Sequence, residues 1–314
     1  MAKIQFITDP SFPGLELYSA SETALLRYHE PKPGIFIAES EKVLLRALDA
    51  GYEPVSLLME DRYEPSETHP LVLGCQEAYS RSAAGDFPVY VGSYELLKNT
   101  AGYGLTGGIL CAMHRKPLPS VLSILSSSNR IAILENIVNP TNIGAIFRSA
   151  AAMNVDAILL TAACCDPLYR RAVRVSMGNV FLMPWTYLRP VRKRLDTSNR
   201  WESTEGLEDY LPADHSSESY DHQGWPSPWL QILKNMGYTT AAMALEERAV
   251  SVSDPALKNA GKLAIILGTE GEGLLARTIE GCDYTVKIPM GEGVDSLNVA
   301  AASAVAFWEL CMKK

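Results

Sequence analysis

Ile288-Pro-Met-Gly-Glu-Gly-Val-Asp-Ser-Leu-Asn-Val-Ala-Ala-Ala-Ser-Ala304 is the stretch whose reading decides the fold. An apolar strand, Tyr284 to Ile288, runs into a glycine-bearing loop. The loop leads into Ser296-Leu297-Asn298 and a small-residue helix from Val299 to Cys311. Such a loop brings backbone N–H and C=O groups against a flat ligand with few side chains in the way. The alanines at the helix start let another piece of backbone lie close.

Two upstream stretches repeat the strand–loop–helix order. Strand Leu263–Leu267 enters Gly268-Thr-Glu-Gly-Glu-Gly273, and strand Ile131–Leu134 enters Glu135-Asn-Ile-Val-Asn-Pro-Thr-Asn142. The second of these opens a helix over 143–153, with Ile143, Ile146, Phe147 and Ala150 as its inner face. In a parallel sheet, ligands bind outside the carboxyl ends of the strands. The three loops are therefore expected to converge on one crevice.

Working outward, the same half of the chain supplies strands at Ala157–Leu160, Val180–Met183 and Thr239–Met243. Short apolar strands spaced by helices predict a parallel sheet covered on both faces. Lys116-Pro-Leu-Pro-Ser-Val and Ser126-Ser-Ser-Asn read as a linker. Before it lies a smaller α/β pattern: strands at Gly34–Ala38, Val55–Met59, Val89–Val91 and Ile109–Met113. A helix over Glu39–Ala50 stops at Gly51, and another is opened by Ser93 as its N-cap. The first 30 residues read as an extension. Residues 189–228 read as a surface insertion, in or beside which sit Trp201, Trp225 and Trp229. These tryptophans are expected to pin the loop to the body; the alternative is that one stacks on a base. The expected division is 1–118 and 119–314.

At 314 residues, with 47% hydrophobic and 20% charged, the chain can build real cores and favours two domains. No apolar run reaches the roughly 18 residues of a membrane span. The N-terminus lacks the apolar core of a secretory signal. A cytoplasmic protein is expected. The six cysteines include no Cys-x-x-Cys pair, and no His/Cys spacing suggests a metal site. A net charge of −8 disfavours a general polyanion binder, although local patches matter more. Arg170, Arg171 and Arg174 form one such patch; Arg189, Arg192, Lys193 and Arg194 form another. Taken alone, each reads as a solvated face.

Gly268-Thr-Glu-Gly-Glu-Gly273 is neither a P-loop nor a dinucleotide fingerprint. Its two carboxylates, Glu270 and Glu272, would repel a pyrophosphate, so a cationic or neutral ligand suits it better. That counts against a nucleotide-binding oxidoreductase. Asn142 reads equally as an ordinary N-cap, and Arg148 as a surface arginine. Yet Arg148 follows an apolar run, where a guanidinium can hold a phosphate bidentately.

Together, Asn142-Ile-Gly-Ala-Ile-Phe-Arg148, Gly268-Thr-Glu-Gly-Glu-Gly273 and Ile288-Pro-Met…Ser296-Leu-Asn298-Val resemble the SpoU/TrmH RNA 2′-O-methyltransferases of the SPOUT superfamily. Arg174-Val-Ser-Met-Gly178 supports the match, which covers about Arg130 to Lys314 apart from the insertion. Residues Gly34 to Arg115 resemble, less specifically, the ribosomal-protein-like RNA-binding domain often found ahead of it. The resemblance implies an α/β fold with a C-terminal trefoil knot, a homodimer, and S-adenosylmethionine as cofactor, with no metal required. It places cofactor contacts at Leu267, Gly268, Thr269, Gly271, Ile288, Met290 and Leu297. It places catalytic roles on Arg148, Asn142, Glu270, Ser296 and Asn298. The implied substrate is RNA, with ribosomal RNA favoured over transfer RNA because of the appended N-terminal domain.

Overall fold

The computed structural model describes residues 1–27, 34–189, 225–269, 271–293 and 296–312. Two compact units emerge. The first is Met1–Pro117 together with Asp166–Leu182, and the second is Leu118–Cys165 together with Met183–Lys314.

The first unit holds a five-stranded mixed sheet. In chain order its strands are β1 (Ala2–Phe6), β2 (Ile35–Glu39), β3 (Pro54–Glu60), β4 (Phe87–Gly92) and β5 (Ile109–His114). Their spatial order is β1-β4-β3-β5-β2. Its helices are α1 (Glu16–Ser19), α2 (Glu22–Arg27), α3 (Glu41–Asp49), α4 (Pro70–Tyr79) and α5 (Tyr94–Ala101). Ser93 caps α5 as its composition predicts, accepting from the Leu96 N–H at 3.3 Å.

The N-terminal residues are not an extension. β1 pairs in parallel with β4 from Ala2↔Phe87 to Phe6↔Val91. Leu15, Leu17, Tyr18 and Leu25 are buried in the unit's core, and the Tyr18 hydroxyl meets Ser56 Oγ at 2.8 Å. These apolar residues are core contacts made by short, turn-rich segments.

Among the described residues, the second unit carries seven strands, all parallel. They are β6 (Arg130–Leu134), β7 (Ala157–Thr161), β8 (Trp185–Leu188), β9 (Tyr238–Met243), β10 (Val250–Ser251), β11 (Lys262–Leu267) and β12 (Tyr284–Lys287). Their order is β10-β12-β9-β11-β6-β7-β8. The helices are α6 (Val121–Ser127), α7 (Pro140–Ala152), α9 (Trp229–Asn235), α10 (Pro255–Lys258), α11 (Ala276–Gly281) and α12 (Val299–Cys311); α8 (Arg170–Val175) belongs to the first unit.

Alternate residues of a strand face opposite sides of the sheet. Ile131, Ile133, Leu159, Ala264 and Ile266 pack on one side against Ile124, Leu125, Trp229 and Leu233. The intervening Ala132, Leu134, Leu160, Ile265 and Leu267 are buried too, so both faces are covered. The helices α7 and α12 pack on each other.

The run Val180–Met183 is not a strand. Asn179–Phe181 forms a 3-10 turn, and the strand begins at Trp185, after Pro184. Phe181 instead stacks in the first unit, with ring centroids 5.5 Å from Phe36 and 5.0 Å from Tyr52. An apolar run of four residues fits either period.

Candidate cofactor and catalytic site

Because the sheet is parallel throughout, Leu134, Leu267 and Lys287 end their strands on one edge. β6 and β11 are neighbours, and β9 separates β11 from β12. With strands about 4.8 Å apart, the outer two of these ends lie roughly 14 Å from each other.

The β11 loop folds back on itself. Gly273 N–H donates to Thr269 O at 3.0 Å, closing an antiparallel bridge between the two residues. A Cβ added at Gly268 would lie 2.4 Å from the Gly273 carbonyl carbon and 2.6 Å from the Leu274 nitrogen. Glycine at 268 is thus demanded by the turn's own backbone. The tip differs: a Cβ on Gly271, or on Gly291 of the third loop, would meet nothing within 4 Å. Open backbone at these tips is what a flat ligand requires. Leu267 is buried, and its C=O accepts from Glu135 N–H at 2.8 Å. Thr269, Ile288 and Met290 are half-buried, while Ser296 and Leu297 are exposed. Glu270 lies outside the described residues, as do positions 190–224, with Trp201, Arg192, Lys193 and Arg194.

Asn142 is not an N-cap. The cap of α7 is Asn139, whose Oδ1 accepts from Thr141 N–H at 2.8 Å. Asn142 sits one turn in, is buried, and its Oδ1 accepts from Asn298 Nδ2 at 3.3 Å. Asn298 in turn caps α12, accepting from Ala300 N–H at 2.9 Å. The first and third motifs therefore touch side chain to side chain. Arg148, six positions on, emerges on another face. It is exposed and makes no hydrogen bond or ion pair with any described residue.

Glu135 is a site residue that sequence reading passed over. Its side chain is fully buried at the carboxyl end of β6. Oε1 accepts from Leu275 N–H at 2.7 Å, and Oε2 accepts from the Thr278 hydroxyl at 2.6 Å and from the Trp225 indole N–H. Its partners lie far along the chain, so no local spacing announces them. Trp225 and Trp229 are both buried, and the Trp229 indole donates to Arg189 O at 2.9 Å. These two pin the chain and are closed to base stacking.

Two of the α8 arginines are engaged within the first unit. Arg174 pairs with the buried Glu39 at 3.4 Å. Arg170 lies 4.6 Å over the Tyr103 ring, and its backbone N–H donates to Glu22 at 3.0 Å. Burial pushes the Cys164 thiol up to about 11, and those of Cys282 and Cys311 up to about 12. These thiols are packing groups. Among the described residues, no group of three or more His, Cys, Asp or Glu is placed to hold a metal.

A cavity of about 520 Å³ is lined wholly by first-unit residues, among them Ser40, Lys42, Arg46, Tyr63 and Thr106. It shares no residue with the three loops.

A parallel sheet with three loops at one carboxyl edge places the second unit among the α/β folds that bind ligands at that edge. An AdoMet-bound rRNA methyltransferase from Sinorhizobium meliloti has a similar fold. Its TM-score is 0.69 over 98% of this chain and 97% of that one, at 18% identity. An uncharacterized tRNA/rRNA methyltransferase of Mycobacterium bovis is 32% identical over 308 residues, 98% of this chain and 91% of the relative. A 23S rRNA (guanosine-2′-O-)-methyltransferase of Haemophilus ducreyi is 27% identical over 60% of this chain and 61% of its own length. The model of the SpoU rRNA Methylase family matches residues 129–205 and 213–308. The chain belongs to that family: it is an RNA methyltransferase.

Proposed function

We propose that the protein transfers the methyl group of S-adenosylmethionine to a ribose 2′-hydroxyl of ribosomal RNA. The observation that carries this reading is the Asn142–Asn298 contact at the edge where the three loops emerge. The residues fit the cofactor: open backbone lies beside Gly271 and Gly291, and the exposed carboxylate of Glu272 suits a cation. Leu267, Gly268, Thr269, Gly271, Ile288, Met290 and Leu297 hold its adenine and ribose.

The sulfonium supplies an already activated methyl group. What remains for the protein is to align the 2′-oxygen and to stabilise the charge that develops on it. Arg148 clamps an RNA phosphate and faces that developing charge. It is not the base, because a guanidinium does not deprotonate in proteins. Glu270, Ser296, Asn298 and Asn142 shape the pocket around the reacting groups. The hydroxyl proton leaves to solvent or to an RNA phosphate.

The tail from Ser296 threads a trefoil knot, which the small residues Ala300, Ala302 and Ala304 accommodate. The chain works as a homodimer. Ala301, Val305 and Trp308 form one helical stripe of α12, and Val305 and Trp308 are 39% and 55% exposed. The unit formed by the N-terminal residues to about 118 binds the RNA, and a compact substrate-binding unit ahead of the catalytic one favours ribosomal over transfer RNA. The protein is expected to act in the cytoplasm.

The test is 2′-O-methyl mapping of ribosomal and transfer RNA from a host lacking the gene. Loss of a ribosomal mark is expected, restored by the wild-type gene and not by an Arg148→Ala copy. Intact ribosomal marks with a lost transfer-RNA mark would assign the other substrate.

A further inference from the structure

We propose that Glu135 is a positioning residue for the cofactor, acting through the 268–275 turn rather than by touching the ligand. The proposal rests on the reading that this turn holds S-adenosylmethionine.

Glu135 is the last residue before the β6 loop, and its N–H already ties β6 to Leu267 of β11. Its carboxylate then reaches the far side of the turn. Oε1 takes the Leu275 N–H, at the point where the turn enters α11. Oε2 takes the hydroxyl of Thr278, itself fully buried in α11, and the indole N–H of Trp225. The turn is thus fixed at both ends: at Gly268 by its own backbone, and at Leu275 by Glu135.

All three described donors to Glu135 are neutral, and no described cation pairs with it. Burying a carboxylate without a counter-charge is expensive, and an apolar residue of similar volume often serves stability as well. The carboxylate does what no neutral side chain can: it accepts on both oxygens, from opposite sides. Glutamine has one acceptor oxygen and an NH₂. If that oxygen meets Thr278 and Trp225, the NH₂ faces the Leu275 N–H, and the turn loses its anchor. Through Trp225 the same carboxylate also holds the segment just ahead of α9.

The experiment is calorimetry with S-adenosylhomocysteine on the full-length protein, together with steady-state methylation. Glu135→Gln is expected to weaken S-adenosylhomocysteine about tenfold, as for one hydrogen bond to a charged group. The KM for S-adenosylmethionine rises in step, while kcat at saturation and the KM for RNA stay near wild type. A merely structural role would lower kcat and both affinities together. Thr278→Val removes one donor, keeps the shape of the side chain, and should fold even if Glu135→Gln does not. It is expected to weaken the same ligand about threefold. Combined with Glu135→Gln, its effect should be less than additive, because both changes act through the one carboxylate and the anchor to Leu275 is already gone.

Unchanged affinity in Thr278→Val and Glu135→Gln, or effects that add in the double variant, overturns the proposal. Gly268→Ala separates this outcome from failure of the underlying reading. If Gly268→Ala loses the ligand while the other variants bind normally, the role of Glu135 alone is wrong. If Gly268→Ala also binds normally, the cofactor lies elsewhere and both ideas fall.

Discussion

Asn298 holds two helices at once: its Nδ2 donates to Asn142 Oδ1 at 3.3 Å while its Oδ1 accepts the Ala300 N–H at 2.9 Å. The two roles can be separated. Asn298→Ala removes both and should destabilise the protein by about 1–2 kcal/mol, chiefly through the lost cap. Asn298→Ser keeps a good cap but cannot reach Asn142, so it should retain most of that stability. Both variants are expected to lose methylation. Thermal melts beside activity assays test this, and a fully active Asn298→Ser protein would show that the contact is not functional.

Arg148 has no described partner and is exposed, so its removal should leave stability within about 0.5 kcal/mol. Methylation, in contrast, should disappear in Arg148→Ala with S-adenosylhomocysteine affinity nearly intact. Arg148→Lys should recover only part of the rate, since an ammonium cannot grip a phosphate with two parallel bonds. Label transfer from the methyl donor to the true RNA measures it. Wild-type turnover in Arg148→Ala would remove the residue from the mechanism.

The apolar stripe of α12 predicts an oligomer. Trp308→Glu should convert a dimer into monomers in sedimentation experiments, with α12 still helical by circular dichroism. If the wild type sediments as a monomer, the stripe has some other purpose.

The Arg115–Asp166 pair spans 2.6 Å with both side chains nearly buried. Breaking a buried pair on one side strands a charge and costs about 3–5 kcal/mol. Arg115→Ala should therefore lower the melting temperature markedly, and Arg115→Ala/Asp166→Ala should recover much of the loss. Additive losses in the double variant would mean the two charges act independently.

Asp283 predicts an acid dependence. Burial alone would raise its carboxyl, but hydrogen bonds from Thr240 and Lys234 outweigh it and hold the group below its usual 3.8. A depressed carboxyl stabilises above its unfolded value and loses that contribution as pH falls through the folded one. Asp283→Asn should thus be less stable than wild type at pH 7, the difference shrinking below about pH 4. A difference that persists unchanged at pH 2–3 would contradict this.

Much of the second unit was legible because buried parallel strands read as short apolar runs bounded by loops; Ile131–Leu134, Leu263–Leu267 and Tyr284–Ile288 match the observed strands to within a residue. The first strand was not, because Ala2–Phe6 is a five-residue segment at a sheet edge that takes its register only from β4. The motif residues stood out through local spacing. For Asn142 an ordinary cap stayed open as the plainer reading, because its partner, Asn298, lies 156 positions away. Glu135 stayed hidden for the same reason, with donors 90, 140 and 143 positions distant. Arg170 and Arg174 read as a solvated face because sequence does not reveal that Glu39 and Tyr103 receive them.

Amide hydrogen exchange with and without S-adenosylhomocysteine addresses the shared edge most directly. Protection should appear together in 267–273, 288–291 and 297–300, three segments remote in sequence, and Arg148→Ala should leave it in place. Protection confined to the 40–46 segment beside the first-unit cavity, with the three loops unchanged, would contradict the account.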